Sequence, residues 1–520
     1  VRVIEENRII PDRGKRYCAG IVFPNRYEVA TANLGFHWLY RKVNEHPFFW
    51  GERFTIESDL SLDGEVSLSD CDLILLSVSF ENDLLNIINL FKTLKVHILA
   101  EERGDNLPPV IMGGAVTFFN PYPFLRLVDS IVLGEGEDKI FALLNAFVES
   151  DGKKKIFIGK ISGFDWVITY GKKSGKRFPL YALEEGGWSV FFSNKGEFGR
   201  SFLIEIQRGC THLCRFCGAG YTYLPPRFFG VEKIIDTVET WGEKVPRVGL
   251  ISPSPSDHPR FLQILERIIE TGRKFTLSSI RPESACGELF DLIARGGPDT
   301  LTLAPEAGSE EERKILNKNI PDDLFFDFAE RASKAGIKRL KLYFIIGREE
   351  GEEEVNNILS FLKKLKNFSR RVVLSASFSI FVPKPFTPFQ WKSMDTIPSL
   401  EWKIRRLRRE TVAIGVKATF ENIYDAFTEG LIARSDETLV NLIADERKIS
   451  PKKVVVKNMK LIEELLNREF DTDYKFPWER IETPLLKKFL ISESVRAIKG
   501  KTTPGCLPER CRKCGVCDYG

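Results

Sequence analysis

Short, nearly continuous apolar runs alternate with stretches of helical spacing over most of the chain. In the first part, apolar runs at 20–24, 72–80, 109–114 and 130–137 predict buried strands, and 29–43, 84–94 and 140–147 carry helical spacing. A second series has six runs, at 202–206, 248–251, 275–280, 300–304, 339–347 and 372–379, separated by helical stretches such as 260–270 and 322–335. Strands that alternate with helices build parallel sheets, and such sheets bind ligands at the carboxyl ends of their strands. Between the two series, from about 153 to 199, the pattern is broken by Lys172-Lys173-Ser174-Gly175-Lys176-Arg177 and Glu184-Glu185-Gly186-Gly187. After about 401 the pattern is mainly helical. The expected organisation is therefore an α/β chain: a Rossmann-like parallel sheet over 1–165, a linker with a small strand pair over 166–199, six βα units over 200–395, and a mainly helical region over 396–520 ending in a cysteine-rich tail.

Composition changes this picture only in part. A chain of 520 residues is too long for one ordinary core, in keeping with several domains. Hydrophobic content of 43% with 28% charged residues is that of a soluble globular protein, and a net charge of +4 neither demands nor excludes nucleic acid. No apolar run reaches the length of a membrane span, and Val1-Arg2-Val3-Ile4-Glu5-Glu6-Asn7 lacks a signal-peptide pattern, so a cytoplasmic location is expected.

Ten cysteines could suggest disulfides, but seven fall in two dense groups, which reads as metal ligation. The others, Cys18, Cys71 and Cys286, read as structural thiols. Cys210, Cys214 and Cys217 follow the strand-like run at 202–206, so three soft thiolates share one loop at a strand end. Three thiolates suit an iron–sulfur cluster with one iron left open; a zinc knuckle, which needs a fourth ligand, and reduced structural cysteines are the alternatives. Cys506, Cys511, Cys514 and Cys517, spaced Cx4Cx2Cx2C, could fill all positions of a zinc ion or of a second [4Fe–4S] cluster, in a structural or electron-relay role.

The CxxxCxxC spacing, with Phe216 just before the last cysteine, resembles the signature of the radical S-adenosylmethionine (SAM) superfamily. The resemblance implies that Cys210, Cys214 and Cys217 hold three irons of a [4Fe–4S] cluster whose fourth iron binds the SAM amine and carboxylate. Reduction, by a partner such as flavodoxin or ferredoxin, then cleaves SAM to methionine and a 5′-deoxyadenosyl radical. It also implies that the six βα units form a partial (β/α)6 barrel. Where many members have a Gly-Gly-Glu-type turn this chain has Ser252-Pro253-Ser254-Pro255-Ser256-Asp257, which leaves the amine contact unassigned. Ser279, Arg281 and Glu306 become candidates for the SAM carboxylate and ribose, with a surface ion pair as the plain alternative for Arg281. Gly347 would let the backbone approach the adenine while Phe216 packs on its face; of Tyr343 and Phe344, at least one should be core.

The amino-terminal order resembles the cobalamin-binding-type domain fused ahead of many radical SAM domains. Its small or acidic strand ends, Ser77, Ser79, Gly113, Gly114, Gly134 and Glu135, are the candidate cobalamin contacts. The chain has no Asp-x-His-x-x-Gly motif, and His37 reads as a helix-surface or core histidine. Residues 304–319, the proline-rich 381–391 and the tail also resemble one uncharacterised branch of the superfamily. The implied activity is cobalamin-dependent methylation of an unactivated carbon. Methylthiotransferase-like modification of RNA or protein is an alternative, although those enzymes have an amino-terminal three-cysteine cluster and this part has only Cys18 and Cys71. From another class comes a non-catalytic, metal-stabilised RNA-binding or scaffold protein. The basic run Lys403, Arg405, Arg406, Arg408 and Arg409 reads as a solvated helix face or an RNA-binding strip.

Overall fold

The computed structural model describes residues 5–519 apart from 65, 184–185, 244, 349–350, 370, 445–447, 507–510 and 512. The start of the chain at 1–4 and the Glu184-Glu185 pair of the linker thus lie outside the described residues.

The amino-terminal sheet has six strands in the order Phe49–Phe54, Tyr17–Val22, Leu73–Ser77, Val110–Gly113, Ser130–Val132, Val167–Ile168, all parallel except the last. Its central strands are buried on both faces, which is why they read as continuous apolar runs. The helices Leu34–Glu45, Asp83–Thr93 and Ile140–Glu149 connect or cover them, the first capped by the Asn33 side chain, which accepts from the Phe36 amide. The edge strand Phe49–Phe54 was not evident from the pattern, because Glu52 and Arg53 interrupt it. Both charges are buried and paired, Glu52 with Arg13 at 2.7 Å and Arg53 with Asp63 at 2.6 Å.

The second sheet contains all six expected strands and a seventh. Phe202–Glu205, Arg247–Ile251 and Lys274–Leu277 pair in parallel, a bridge between Ser279 and Thr302 joins them to Thr300–Glu306, and Arg339–Ile346, Val373–Ile380 and Lys417–Phe420 follow in parallel. Among the described residues the first and last of these strands do not pair with each other, so the barrel stays open. Alternate residues point to opposite sides. Leu340, Leu342 and Phe344 are buried toward the outer helices, where Phe344 meets Phe361 and Phe378, whereas Lys341 and Tyr343 lie on the other side. Phe344 is therefore the core member of the Tyr343 and Phe344 pair, and burying a ring of that kind stabilises by about 1.5–3 kcal/mol.

The linker differs from a self-contained strand pair. Its short strands find distant partners: Phe191–Ser193 pairs with Glu5–Asn7, and Gly175–Lys176 pairs with Ile481–Glu482. His37 is a core histidine, stacked on Phe191, with its Nδ1 accepting from the Val190 amide and its Nε2 beside the Thr31 carbonyl. The basic run on Ile397–Ile414 is only partly a solvated face. Lys403 is buried between Glu354 (2.9 Å) and Asp395 (3.0 Å), and Arg406 pairs with Glu352 and Glu410, which leaves Arg405, Arg408 and Arg409 exposed. No helix among the described residues is long and apolar enough to cross a membrane.

Candidate active site

The carboxyl ends of the two sheets face each other across a cavity of about 470 Å3. Ser77, Ser79, Gly113, Gly114, Gly134 and Glu135, which lie far apart in sequence, all line it. Leu34, Trp38, Met112 and Ile140 give it an apolar wall, and the barrel contributes Gly209, Ala219, Tyr223 and Ser252. Gly209 precedes Cys210 and Ala219 lies two residues after Cys217, so the cavity opens beside the cysteine loop. Two adjacent glycines matter here for different reasons. A Cβ on Gly113 would have nothing within 4 Å and would project into the space, while Gly114, at φ +107°, would place a Cβ 2.5 Å from the Val78 carbonyl oxygen. Ser79 accepts a 2.7 Å bond from Asn33.

Glu135 does more than line this wall. It pairs with Arg227 at 2.8 Å and Arg208 at 3.1 Å, both on the barrel side, and accepts from the Leu180 amide. Burial opposes its charge, yet Arg227 and then Arg208 hold the carboxyl below its ordinary value. The residue expected at a cofactor is thus also the ionic joint between the two domains.

On the barrel side, Cys210, Cys214 and Cys217 sit on one loop as free thiols, the first two buried and Cys217 partly exposed. As thiols they are pushed up, chiefly by burial: Cys214 to about 11, opposed by Lys318 and Arg281, and Cys217 upward against the amides of Gly220 and Ala219. The amide of His212 donates to the Cys210 Sγ at 3.4 Å. Burial favours the neutral thiols, while these amides and cations act in the opposite direction and would support thiolates once iron is bound. Among the described residues no three His, Cys, Asp or Glu side chains close on a point suited to one metal ion. A cubane cluster imposes a different geometry, since each cysteine binds its own iron. His212 turns away from the cysteines to Asp257 at 2.9 Å, and Thr211 donates to the same carboxylate at 2.6 Å. Asp257, from the departing Ser252–Asp257 turn, is therefore a brace for the loop.

The other candidates spread over the strand ends around it. Glu306, in the left-handed region at φ +65°, ends its strand and pairs with Lys318 at 3.0 Å; both lie near Cys214. The capping box of Ser309 and Glu312 starts the short helix Glu310–Ile315 directly after it. Ser279 bridges the two parts of the sheet. Arg281 pairs with Glu283 at 2.7 Å, the plain reading, and also lies close enough to Cys214 to act on it. Phe216 packs on Ala307, Leu316, Ile345, Phe381 and Phe389, a small cluster that joins the loop to the proline-rich segment. Gly347 has φ +79° and is hemmed in by Leu400, whose Cδ2 lies 2.6 Å from where a Cβ would be, so helix packing requires this glycine whatever approaches its backbone.

Two family models match: "Radical SAM proteins, N-terminal" over residues 35–167 and "Radical SAM superfamily" over 204–362. The chain belongs to the radical SAM superfamily. This radical SAM enzyme is 27% identical to an uncharacterized protein of Methanocaldococcus jannaschii over 89% of this chain and 98% of that protein. A tRNA-2-methylthio-N(6)-dimethylallyladenosine synthase of Chloroherpeton thalassium is 23% identical over 46% of this chain and 56% of its own length. In fold the radical SAM chain is similar to the radical S-adenosylmethionine methyltransferase TsrM of Kitasatospora setae, solved with cobalamin and a [4Fe–4S] cluster, at a TM-score of 0.56 and 12% identity over 86% of this chain and 99% of that one.

Lys318 and Asn317 were not singled out by sequence, and Asp257 was named only within the departing turn, without a role. Asn317 donates to the Leu213 carbonyl at 2.9 Å and to the Thr503 carbonyl at 3.1 Å, and accepts from the Thr503 amide at 2.7 Å. Only the position of Lys318 and Asn317 within the 304–319 stretch could have drawn attention to them.

Proposed function

We propose that this radical SAM enzyme is a cobalamin-dependent methyltransferase acting on an unactivated carbon. The observation that carries the reading is the cavity between the sheets, which opens on one side to the small residues of the amino-terminal sheet and on the other to the cysteine loop. Its volume is in the range of cofactor sites. When bound, the cluster and SAM supply a 5′-deoxyadenosyl radical on one-electron reduction, and cobalamin supplies a transferable methyl group.

Within this reading Cys210, Cys214 and Cys217 would ligate the cluster. Lys318 and Glu306, held together at 3.0 Å, would present paired charges to the amino-acid end of SAM, with Arg281 and Ser279 beside them. Phe216 and the backbone at Gly347 would bound the adenine. Gly113 and Gly114 would let the strand edge lie against the corrin, with Ser77, Ser79, Gly134 and Glu135 around it, while the apolar wall keeps water from the reacting carbon. Against methylthiotransferase chemistry, Cys18 and Cys71 stand together, Sγ to Sγ at 3.3 Å, low on the amino-terminal sheet and away from the cavity edge. They are two thiols where a cluster of that kind needs three.

The test is anaerobic purification with iron and cobalt counted per chain, followed by product analysis with SAM and a reductant. Stoichiometric cobalt together with methylated product is expected. Cleavage of SAM by a chain that takes up no cobalamin would leave the radical chemistry and remove the methyltransferase reading.

A further inference from the structure

The four-cysteine tail lies against the radical SAM loop. The amide of Cys506 donates to the Thr211 carbonyl at 2.6 Å, one residue from Cys210, and Gly505 lies so close to that same carbonyl that a Cβ on it would come within 2.8 Å. Asn317 ties Leu213 of the loop to Thr503 just before Cys506. Arg215, fully buried between the cysteines of the loop, pairs with Glu493 at 3.2 Å and donates to the Lys501 carbonyl. The Leu486 amide donates to the Cys514 carbonyl, fixing the far end of the tail to the helix Lys487–Ile498.

The tail has cysteines that reach the surface. Cys511 and Cys517 are partly exposed while Cys506, against the loop, and Cys514 are buried. The surface around the tail has a distinct character. Lys488, Lys499, Lys501 and Lys513 are all exposed there, in a chain whose whole net charge is +4. On the helix Lys487–Ile498, Val495 and Ile498 are 42% and 75% exposed, with Lys488 in its first turn and Lys499 at its carboxyl end. A small apolar centre with a basic rim suits a brief encounter with an acidic partner.

We infer that Cys506, Cys511, Cys514 and Cys517 hold a second [4Fe–4S] cluster that serves as the electron entry port, and that the basic helix face beside it docks an acidic one-electron carrier protein. One electron passes from the reduced carrier, which is oxidised by one electron, to the tail cluster and then to the loop cluster. No bond forms or breaks in the transfer. The inference rests on the radical SAM reading for its acceptor, and its metal content can be tested without that acceptor.

The experiment uses the full chain purified without air. In the variant with Cys210, Cys214 and Cys217 all changed to Ala, about four irons per chain and a paramagnetic signal on reduction are expected from the tail. Zinc in place of that iron overturns the proposal, whether or not the wild type cleaves SAM. In K499E/K513E, iron content should match the wild type, and SAM cleavage driven by a reduced acidic ferredoxin should fall about tenfold or more while cleavage driven by dithionite stays within about twofold. Raising the salt should slow the ferredoxin-driven reaction of the wild type more than that of the variant. Equal ferredoxin-driven rates in variant and wild type overturn the docking surface. Absence of cleavage with dithionite in the wild type would instead count against the radical SAM reading, with the tail iron still decided by the triple variant.

Discussion

The amino-terminal sheet meets the central cavity with Ser77, Ser79, Gly113, Gly114 and Gly134, side chains that take up almost no room, and with Glu135; the barrel lines it with Arg208, Gly209, Ala219, Tyr223 and Ser252, and carries its thiols, Lys318, Glu306 and a braced His212 on loops behind that lining. Both sheets are parallel apart from the edge strand Val167–Ile168, both have strand ends turned to the same space, and both are covered by helices. Much of the difference lies in the residues at the carboxyl ends of the strands. One edge is mostly small residues with Glu135 as its charge, while the loops of the other carry the thiols and most of the paired charges, so a shared architecture takes different chemistry from different loops.

The contrast between the edges is broken most completely by removing the thiols of the barrel. Changing Cys210, Cys214 and Cys217 to Ala should bring SAM cleavage below detection and remove about four irons per chain; retained cleavage would show that the chemistry lies elsewhere. The opposite edge is tested by filling it. Because nothing lies near the Cβ position of Gly113, Gly113→Phe should leave the iron content and melting behaviour close to wild type while weakening cobalamin retention at least about tenfold. Unchanged retention would mean that the cavity is not the cofactor's place.

The joint between the edges comes next. Arg227→Ala removes the closer guanidinium from buried Glu135, but Arg208 remains, so the expected loss is about 2–3 kcal/mol, less than for a wholly unpaired buried charge. Because the folded state holds Glu135 below its ordinary value of 4.5, its contribution is present above that pH and is lost as the pH falls through the depressed value. The gap between Arg227→Ala and wild type in chemical denaturation should therefore narrow in acid.

The smallest effect belongs to the interior of the amino-terminal domain. Burial lowers the His37 imidazole to about 3 from 6.5, so between these values the unfolded chain binds a proton that the folded chain does not. Stability should fall as the pH drops below 6.5, by about 2 kcal/mol at pH 5, and His37→Gln should flatten that slope. A slope identical in wild type and variant would show that this histidine takes no part.

Much of this arrangement was legible in the sequence, for identifiable reasons. Strands buried on both faces leave apolar runs, and every such run in the two series became a strand. The six small or acidic residues after the amino-terminal strands meet in one cavity because parallel topology puts all those ends on one edge. The strand Phe49–Phe54 was hidden by Glu52 and Arg53, whose partners, Arg13 and Asp63, are supplied by loops outside it. Lys417–Phe420 is an edge strand of four residues whose main apolar contact, Phe420 on Phe378, is invisible to periodicity. The seat of the tail was least legible of all. Asn317 and Thr503 are 186 residues apart, and neither a helical nor a strand repeat records such a pairing.

That long separation also has a meaning in time. Arg215 in the cysteine loop and Lys501, whose carbonyl it holds, are 286 residues apart along the chain. At ordinary rates of synthesis the second appears roughly 15–60 s after the first. Throughout that interval Arg215 lacks its Lys501 partner. The buried packing around Arg215 is therefore completed only once the segment at 501–503 has been made, late in synthesis.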